Sequence, residues 1–340
     1  MDLSRGKRVA IVGAGMAGLS CADVLVARGF DVRLFDKGRG AGGRMSTRRI
    51  ETVLGVASID HGAQYFTARD AGFLKLVEEW AARGVAQRWP VAGLDAWIGV
   101  PGMNAVVRDM VARHDAHFDR TVSGLAREAR GWRLIGERIE PALFDVVLLA
   151  LPAEQTATML GPVDLQMAGH AVMARSQPCW TAMFAFRERL RTETTVLRNR
   201  GLIGWAARNS AKPGRSGPEA WVVQATGAWS SDNLTSDPKA IEITLLSALA
   251  GALNIDLDAP IASAAHRWRY AMSAGLGEGA LWNSRLGIGA CGDWLLGPRV
   301  ESAWLSGKAL ADAVSLWATD SASSAQRTTS ALLSAAGHKQ

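Results

Sequence analysis

Residues Lys7-Arg8-Val9-Ala10-Ile11-Val12, running into Gly13-Ala14-Gly15-Met16-Ala17-Gly18, decide the fold. The run up to Val12 is β-rich and mostly apolar, as a strand buried on both faces of a parallel sheet should be. The glycines then fall where a strand hands over to a helix, and each has its own task. Gly13 permits the tight turn, Gly15 lets a pyrophosphate approach the backbone, and Gly18 lets helix and strand pack closely. The helix is predicted to run through about Ala27 and to close at Gly29. Its first turn, around Ala14, Met16 and Ala17, offers free N–H groups and a partial positive charge to phosphates. A second strand, Asp31–Phe35, leads to Asp36, about 20 residues beyond the last fingerprint glycine, where a carboxylate can accept from ribose hydroxyls. The same acid repels a 2′-phosphate, so the fingerprint points to FAD or NAD rather than NADP.

A second loop follows at once: Asp36-Lys37-Gly38-Arg39-Gly40-Ala41-Gly42-Gly43-Arg44-Met45-Ser46-Thr47. A nicotinamide dehydrogenase has no need of it, whereas a resident FAD needs a loop over its ribose and pyrophosphate. Gly42 and Gly43 give close backbone approach, Met45 follows, and Lys37, Arg39 and Arg44 bring positive charge. Arg44 offers a guanidinium fork for phosphate oxygens or ribose. A third element lies far along the chain. A short apolar strand, Leu286–Cys291, ends in Gly292-Asp293 ahead of an Ala-rich helix predicted over Val300–Leu316. Asp293 suits the ribityl chain, and the helix start at Val300, Glu301 and Ser302 suits the flavin's N(1)–C(2)=O edge. Three elements in this order favour FAD. Cys291 sits beside the ribityl position rather than the ring's methyl edge, so the FAD is expected to be non-covalent.

Between these elements the chain divides. A helix is predicted over 70–84 from Phe73, Leu74, Val77 and Trp80, and another from Pro101 to about Arg113. Alternation from about 116 to 140 suggests an antiparallel meander, and Phe144–Leu151 a buried parallel strand. From about 155 to 280 the character changes, with strands near 179–186, 202–207 and 220–226 and a helix over Pro238–Leu253. The expected fold class is α/β: a Rossmann-like FAD domain of the hydroxybenzoate-hydroxylase or amine-oxidase type, with an inserted α+β substrate domain. The FAD domain is assigned residues 1–70, 98–155 and 284–318, and the substrate domain 71–97 and 156–283. Residues 319–340, rich in Ser, Ala and Thr, read as a flexible tail.

Composition narrows the function. The 340 residues carry 38 Lys and Arg against 32 Asp and Glu, a net charge of +6. The basic residues are scattered, with no zinc finger or basic helix, so no nucleic-acid partner is expected. The apolar run Val9–Leu19 is broken by glycines and ends in no cleavage site. No stretch reaches the roughly 18 to 20 apolar residues of a membrane span. Three distant cysteines form neither a disulfide framework nor a zinc site, so a cytoplasmic location without metal or membrane is expected. The chain has 13 Trp but only 2 Tyr, Tyr65 and Tyr270.

The block from Asp36 to Arg49, and above all Asp60-His61-Gly62-Ala63-Gln64-Tyr65-Phe66-Thr67-Ala68-Arg69-Asp70, resembles the bacterial renalase group of FAD oxidases, distant relatives of the monoamine oxidases. Gly204-Trp205 through Arg215, His266-Arg267-Trp268-Arg269-Tyr270, Cys291-Gly292-Asp293-Trp294 and Arg299 through Gly307 fit as well, so the resemblance spans about residues 7 to 316. It implies a non-covalent FAD enzyme that oxidises 2-dihydro or 6-dihydro isomers of NAD(P)H to NAD(P)+ and passes the electrons to dioxygen, forming hydrogen peroxide. Such a dihydropyridine expels hydride under push from its own ring nitrogen, so the site needs chiefly a flat slot against the flavin.

The same blocks supply the candidate site. Asp60, His61, Gly62, Ala63 and Gln64 would meet the flavin. Gly62-Ala63 would give close approach, Gln64 would donate to flavin or substrate, and His61 would fix backbone rather than act as acid or base. Trp205 and Trp268 would either wall the slot or sit in the core. Asn209, Lys212 and His266 would hold carboxamide, ribose or phosphate, though His266 also reads as a structural hydrogen-bonder and Lys212 as a solvated loop charge. Two other readings stand beside this one. A flavin amine oxidase would flank the flavin with two aromatic rings, usually tyrosines, and Trp can replace Tyr. A non-catalytic dinucleotide-binding sensor would bind without turnover.

Overall fold

A computed structural model describes residues 6–337, with side chains placed through residue 320. The fingerprint strand Arg8–Val12 lies inside a six-stranded sheet. It pairs in parallel with Asp31–Phe35 on one side and Val146–Leu149 on the other. Asp115–His117 and Ile288–Ala290 extend the sheet in parallel, and Leu281–Asn283 closes one edge antiparallel. Val9, Ala10 and Ile11, and all of Val146–Leu149, are wholly buried, which is why these strands are continuous apolar runs. Asp115–His117 departs from the expected meander. It follows the helix Ala105–Val111, whose crossover returns the chain parallel to Asp31–Phe35. The antiparallel meander proper is Thr121–Glu128, Gly131–Glu137 and Leu143–Phe144.

The first helix, Met16–Ala27, packs against the last, Val300–Gly337. A Cβ at Gly307 would overlap the carbonyl of Ala17, so contact at this point is backbone to backbone. Ser20 Oγ donates to the Trp304 carbonyl at 2.7 Å across the same seam. The last helix runs past its expected end at Leu316 and continues to Gly337, because the Ser/Ala/Thr-rich segment holds no Pro or Gly before that position. Residues 338–340 of the expected tail lie outside the described residues. The helix Ala71–Ala82 is capped by Asp70, which accepts from the N–H groups of Gly72 and Phe73, both at 2.9 Å. Its buried Phe73, Val77 and Trp80 share one apolar cluster with Val9, Leu34 and Leu310 of the Rossmann elements.

The inserted segment forms a five-stranded antiparallel sheet in the order Val196–Arg200, Ile203–Arg208, Glu219–Ala225, Ser176–Phe186, Ala262–Ser273. One face, with Trp180, Phe184, Trp221 and Val223, is covered by the helix Pro238–Leu253 through Ile241, Leu245 and Leu249. Alternate residues of the same strands face the other way, toward the Rossmann half. Two of these strands, Val196–Arg200 and Ala262–Ser273, and the helices Ala153–Leu160, Leu165–Met173 and Gly227–Asp232 were not legible in the sequence. Among the described residues, no helix is long and apolar enough to cross a membrane.

Candidate active site

From Arg8–Val12 the chain builds the sheet outward on one side and then returns to Val146–Leu149 on the other. The reversal leaves a crevice at the carboxyl ends of those two strands, the place where such sheets bind ligands. The three glycines stand there with distinct constraints. Gly13 has φ +108°, and a Cβ on it would overlap the Ala150 carbonyl oxygen. A Cβ on Gly18 would overlap the Gly13 carbonyl oxygen, whereas one on Gly15 would meet nothing within 4 Å. The helix starting at Met16 has no side-chain cap, so its first-turn N–H groups are left for a ligand. Asp36 is fixed by the N–H groups of Ala14 at 2.8 Å and Gly38 at 2.7 Å. Lys37 and Arg39 are exposed.

The second loop and the third sequence element meet, a contact the sequence does not predict. Arg44 grips Asp293 with both arms of its guanidinium, one at 2.8 Å, and also donates to the Ala271 carbonyl at 3.2 Å. Gly43 has φ +52° and Met45 is buried beside it. At the start of the last helix, Glu301 is not free for a cofactor. Its carboxylate accepts from the backbone N–H groups of Arg69 at 2.5 Å and Asp70 at 2.7 Å. The Ser302 hydroxyl next to it is buried without a partner. An open face at Gly15, an uncapped helix start and an orphaned hydroxyl at a second helix start are the fittings a flavin dinucleotide uses, and the residues present fit FAD.

The Asp60–Gln64 loop differs from the expectation. Asp60 is wholly buried and accepts from Thr47 Oγ1 at 2.7 Å, Met103 N at 2.9 Å, Lys212 Nζ at 3.1 Å and Arg215 Nη2 at 2.5 Å. Burial alone would raise its pKa, but the Lys212 ammonium and the Arg215 guanidinium overcome this and hold it at about 2. Gln64 has no donor left for flavin or substrate. Its amide donates to the carbonyls of Asp60 at 2.8 Å and Gly62 at 3.0 Å, and its oxygen accepts from Lys212 at 3.0 Å. Lysine only donates, which fixes the orientation of that amide. Asn209 joins the same network, donating to the Ser58 carbonyl at 2.8 Å and accepting from Asp60 N at 3.1 Å.

Asn209, Lys212 and Gln64 are thus part of a buried polar knot. Lys212 is not the solvated charge of one reading: it is buried, with its three N–H groups directed to Asp60 and Gln64. Gly62 is a glycine because a Cβ would overlap the Arg44 carbonyl oxygen, which also accepts from Ala63 N at 2.8 Å, so loop packs on loop there. Arg215 and Gln224, which donates to the Gly62 carbonyl at 2.7 Å, are functional neighbours that sequence reading missed.

Above the knot lies an aromatic patch. The His61 ring stacks on Trp268 at 5.2 Å and meets His266 edge-on at 5.1 Å, while His266 and Trp268 contact each other at 4.3 Å. Trp268 Nε1 donates to the His61 carbonyl at 2.7 Å. His61 Nε2 lies 3.3 Å from Ser46 Oγ, and its buried Nδ1 has no partner. Burial, then His266 and the Arg48 guanidinium, push the His61 pKa down to about 4. Burial and Arg48 lower that of His266 as well.

Trp205 does not join this patch. The register aligns Trp205 with Gln224, Gln224 with Thr181, and Thr181 with His266, so all four share one face of the sheet. Three strand spacings, about 14 Å, separate Trp205 from His266. Trp205 packs instead on Tyr65 and Trp89, under the Arg198 guanidinium. The two tryptophans therefore do not wall a single slot.

Comparison with known proteins bears on this geometry. A model of the NAD(P)-binding Rossmann-like domain matches residues 11–80. The chain carries a dinucleotide-binding Rossmann domain. Over 65 residues it is 45% identical to hydroxyneurosporene desaturase of Rubrivivax gelatinosus, covering 19% of this chain and 12% of that one. Over 51 residues it is 49% identical to the L-amino-acid oxidase of Notechis scutatus scutatus, covering 15% and 10%. The chain thus matches only about a tenth of the length of these curated relatives. Likeness of fold extends much further. A structure provisionally assigned as a protoporphyrinogen oxidase of Exiguobacterium superposes with a TM-score of 0.71 at 13% identity, over 91% of this chain and 99% of that one. A variant of putrescine oxidase gives 0.69 at 12%, over 91% and 98%, and cyclohexylamine oxidase of Brevibacterium oxydans gives 0.66 at 12%, over 91% and 98%. The fold is that of the flavin amine oxidase type.

Proposed function

We propose that the chain is an FAD-dependent oxidoreductase that takes hydride from 2-dihydro or 6-dihydro isomers of NAD(P)H, with dioxygen as the final acceptor. The observation that carries this reading is the character of the wall formed by His61, His266 and Trp268. Burial and the Arg48 cation keep both imidazoles neutral, so the wall offers flat uncharged rings beside a positive charge. A donor that expels hydride under its own electron push needs orientation against such a surface and no strong base. Asp60, the carboxylate adjoining this wall in sequence, is enclosed and salt-bridged. Arg48 favours a phosphate-bearing donor and repels a protonated amine, and the net charge of +6 acts in the same direction.

In this reading Gly13, Gly15 and the first turn hold the pyrophosphate of FAD, and Asp36 holds its adenosine ribose. Arg44 and Asp293 take the central part of the cofactor and Ser302 its ring edge. FAD, when bound, supplies the hydride acceptor and the onward transfer of electrons that yields NAD(P)+ and hydrogen peroxide. The Cys291 thiol, pushed up to about 12 by burial, stays protonated and unreactive, which supports a non-covalent cofactor. The inserted domain supplies His266 and Trp268 of the wall, and three buried free cysteines suit a reducing cytoplasm.

The second reading is a flavin amine oxidase, favoured by likeness of fold to the putrescine and cyclohexylamine oxidases. Anaerobic mixing separates the two. We expect 2-dihydro-NAD to bleach the flavin absorbance within seconds while 4-dihydro-NADH and benzylamine leave it intact. Bleaching by amines alone would sink the dinucleotide reading, and flavin spectra without bleaching by any of these donors would leave a binding protein.

A further inference from the structure

The Asp60–Gln64 loop is held from behind, chiefly by the inserted domain. The carbonyl of Ser58 accepts from Asn209, that of His61 from Trp268, that of Gly62 from Gln224, and that of Gln64 from Lys212. At the centre, Lys212 and Arg215 converge on one Asp60 oxygen, with their side chains 0% and 1% exposed. Two cations on one carboxylate leave an excess positive charge enclosed. Taking three charges out of water is costly, and breaking such a group leaves an uncompensated buried charge. A tie that only had to bind two layers together would be served by apolar packing. An ionic tie, in contrast, demands one geometry. Lys212 meets that demand in full: its three protons go to Asp60 Oδ2 at 3.1 Å, the Gln64 carbonyl at 3.1 Å and Gln64 Oε1 at 3.0 Å. One ammonium thereby fastens both ends of the loop. Arg215 adds a link to the Gly99 carbonyl at 2.9 Å, tying in a third segment.

We propose that Lys212 is a positioning residue, which fastens Asp60 and Gln64 to the inserted domain and so sets the placement of the 60–64 loop against the cofactor. The inference rests on the reading that this loop meets FAD.

Lys212→Met keeps the stem and leaves Arg215 on Asp60, so the fold should persist. We expect backbone amides of residues 58–66 to exchange with deuterium at least about tenfold faster, FAD to bind about tenfold more weakly, and the visible circular dichroism of bound flavin to change. Flavin reduction should slow by about 10- to 100-fold with little change in KM, as expected of a misplaced reacting partner. The proposal is overturned if the parent holds FAD while the variant matches it in amide exchange, dichroism and affinity. Should Lys212→Met fail to fold, Lys212→Gln, which keeps a donor, is judged by the same results. A parent that takes up no FAD, yet shows faster exchange in the variant, would retain the clamp and reject the reading it rests on.

Discussion

Two loops in this molecule each contain a glycine whose Cβ would collide with backbone, and they are built in opposite ways. In the fingerprint turn, Gly18 faces the carbonyl of Gly13, five residues away, and the one distant constraint is backbone, the Ala150 carbonyl against Gly13. In the Asp60–Gln64 loop, Gly62 faces Arg44, and the inserted-domain side chains that fix the loop stand 148 to 207 positions further on. The first is a strand–turn–helix closed by its own backbone and by the parallel neighbour strand. The second exists only once the inserted sheet has docked. In the proposed reading, the fingerprint turn serves the cofactor and the assembled loop bears on the donor.

The strongest way to break the local half is Gly18→Val. Its side chain would have to occupy the Gly13 carbonyl oxygen, and neither the helix nor the strand can yield, since Gly13 is itself pressed on Ala150. We expect a loss of more than about 3 kcal/mol, with little folded protein and no bound FAD. Far-ultraviolet dichroism and flavin content check it.

The assembled half should fail first in acid. His61 has a folded pKa of about 4 against 6.5 unfolded, so between these values the unfolded chain takes up a proton that the folded chain refuses. Stability present above pH 6.5 is therefore lost as pH falls toward 4, on the order of 3 kcal/mol at full extent. Asp60 behaves differently: its pKa of about 2 against 3.8 keeps its contribution intact until pH falls below 3.8. Urea unfolding at pH 7 and pH 4.5 should show this drop in the parent and a flatter response in His61→Gln. An equal slope in both would remove His61 as its source.

This contrast also explains what could be read from sequence. Gly13, Gly15 and Gly18 were legible because φ and Cβ clearance are local demands, and Asp36, Arg44 and Asp293 because they follow strands at fixed offsets. Asn209 and Lys212 read as substrate contacts only through the block that carries the resemblance, and Lys212 as a solvated charge only because a lysine in a loop normally faces solvent. Nothing in their neighbourhood reveals that Asp60 lies behind them. Gln224 carries no local signal, since its role depends on strand register in a sheet two of whose five strands are not legible, and Arg215 sits in a loop whose approach to Asp60 is not a local property. The last helix outran its predicted end because Ser and Thr weaken a helix without stopping it.

The finest test of the comparison uses two tryptophans on the same sheet face. Trp268 donates to the His61 carbonyl and stacks on its ring, so Trp268→Phe strands a partly buried acceptor and frees the imidazole. Such a loss is worth about 1–1.5 kcal/mol, or roughly tenfold in the rate of anaerobic flavin reduction. Trp205 has a buried Nε1 without a partner, so Trp205→Phe surrenders no hydrogen bond while keeping a ring against Tyr65. At about 14 Å from His266 it should alter that rate by less than about twofold. If both substitutions slowed reduction equally, the two tryptophans would have to face one substrate ring, and the strand register that separates them would be wrong.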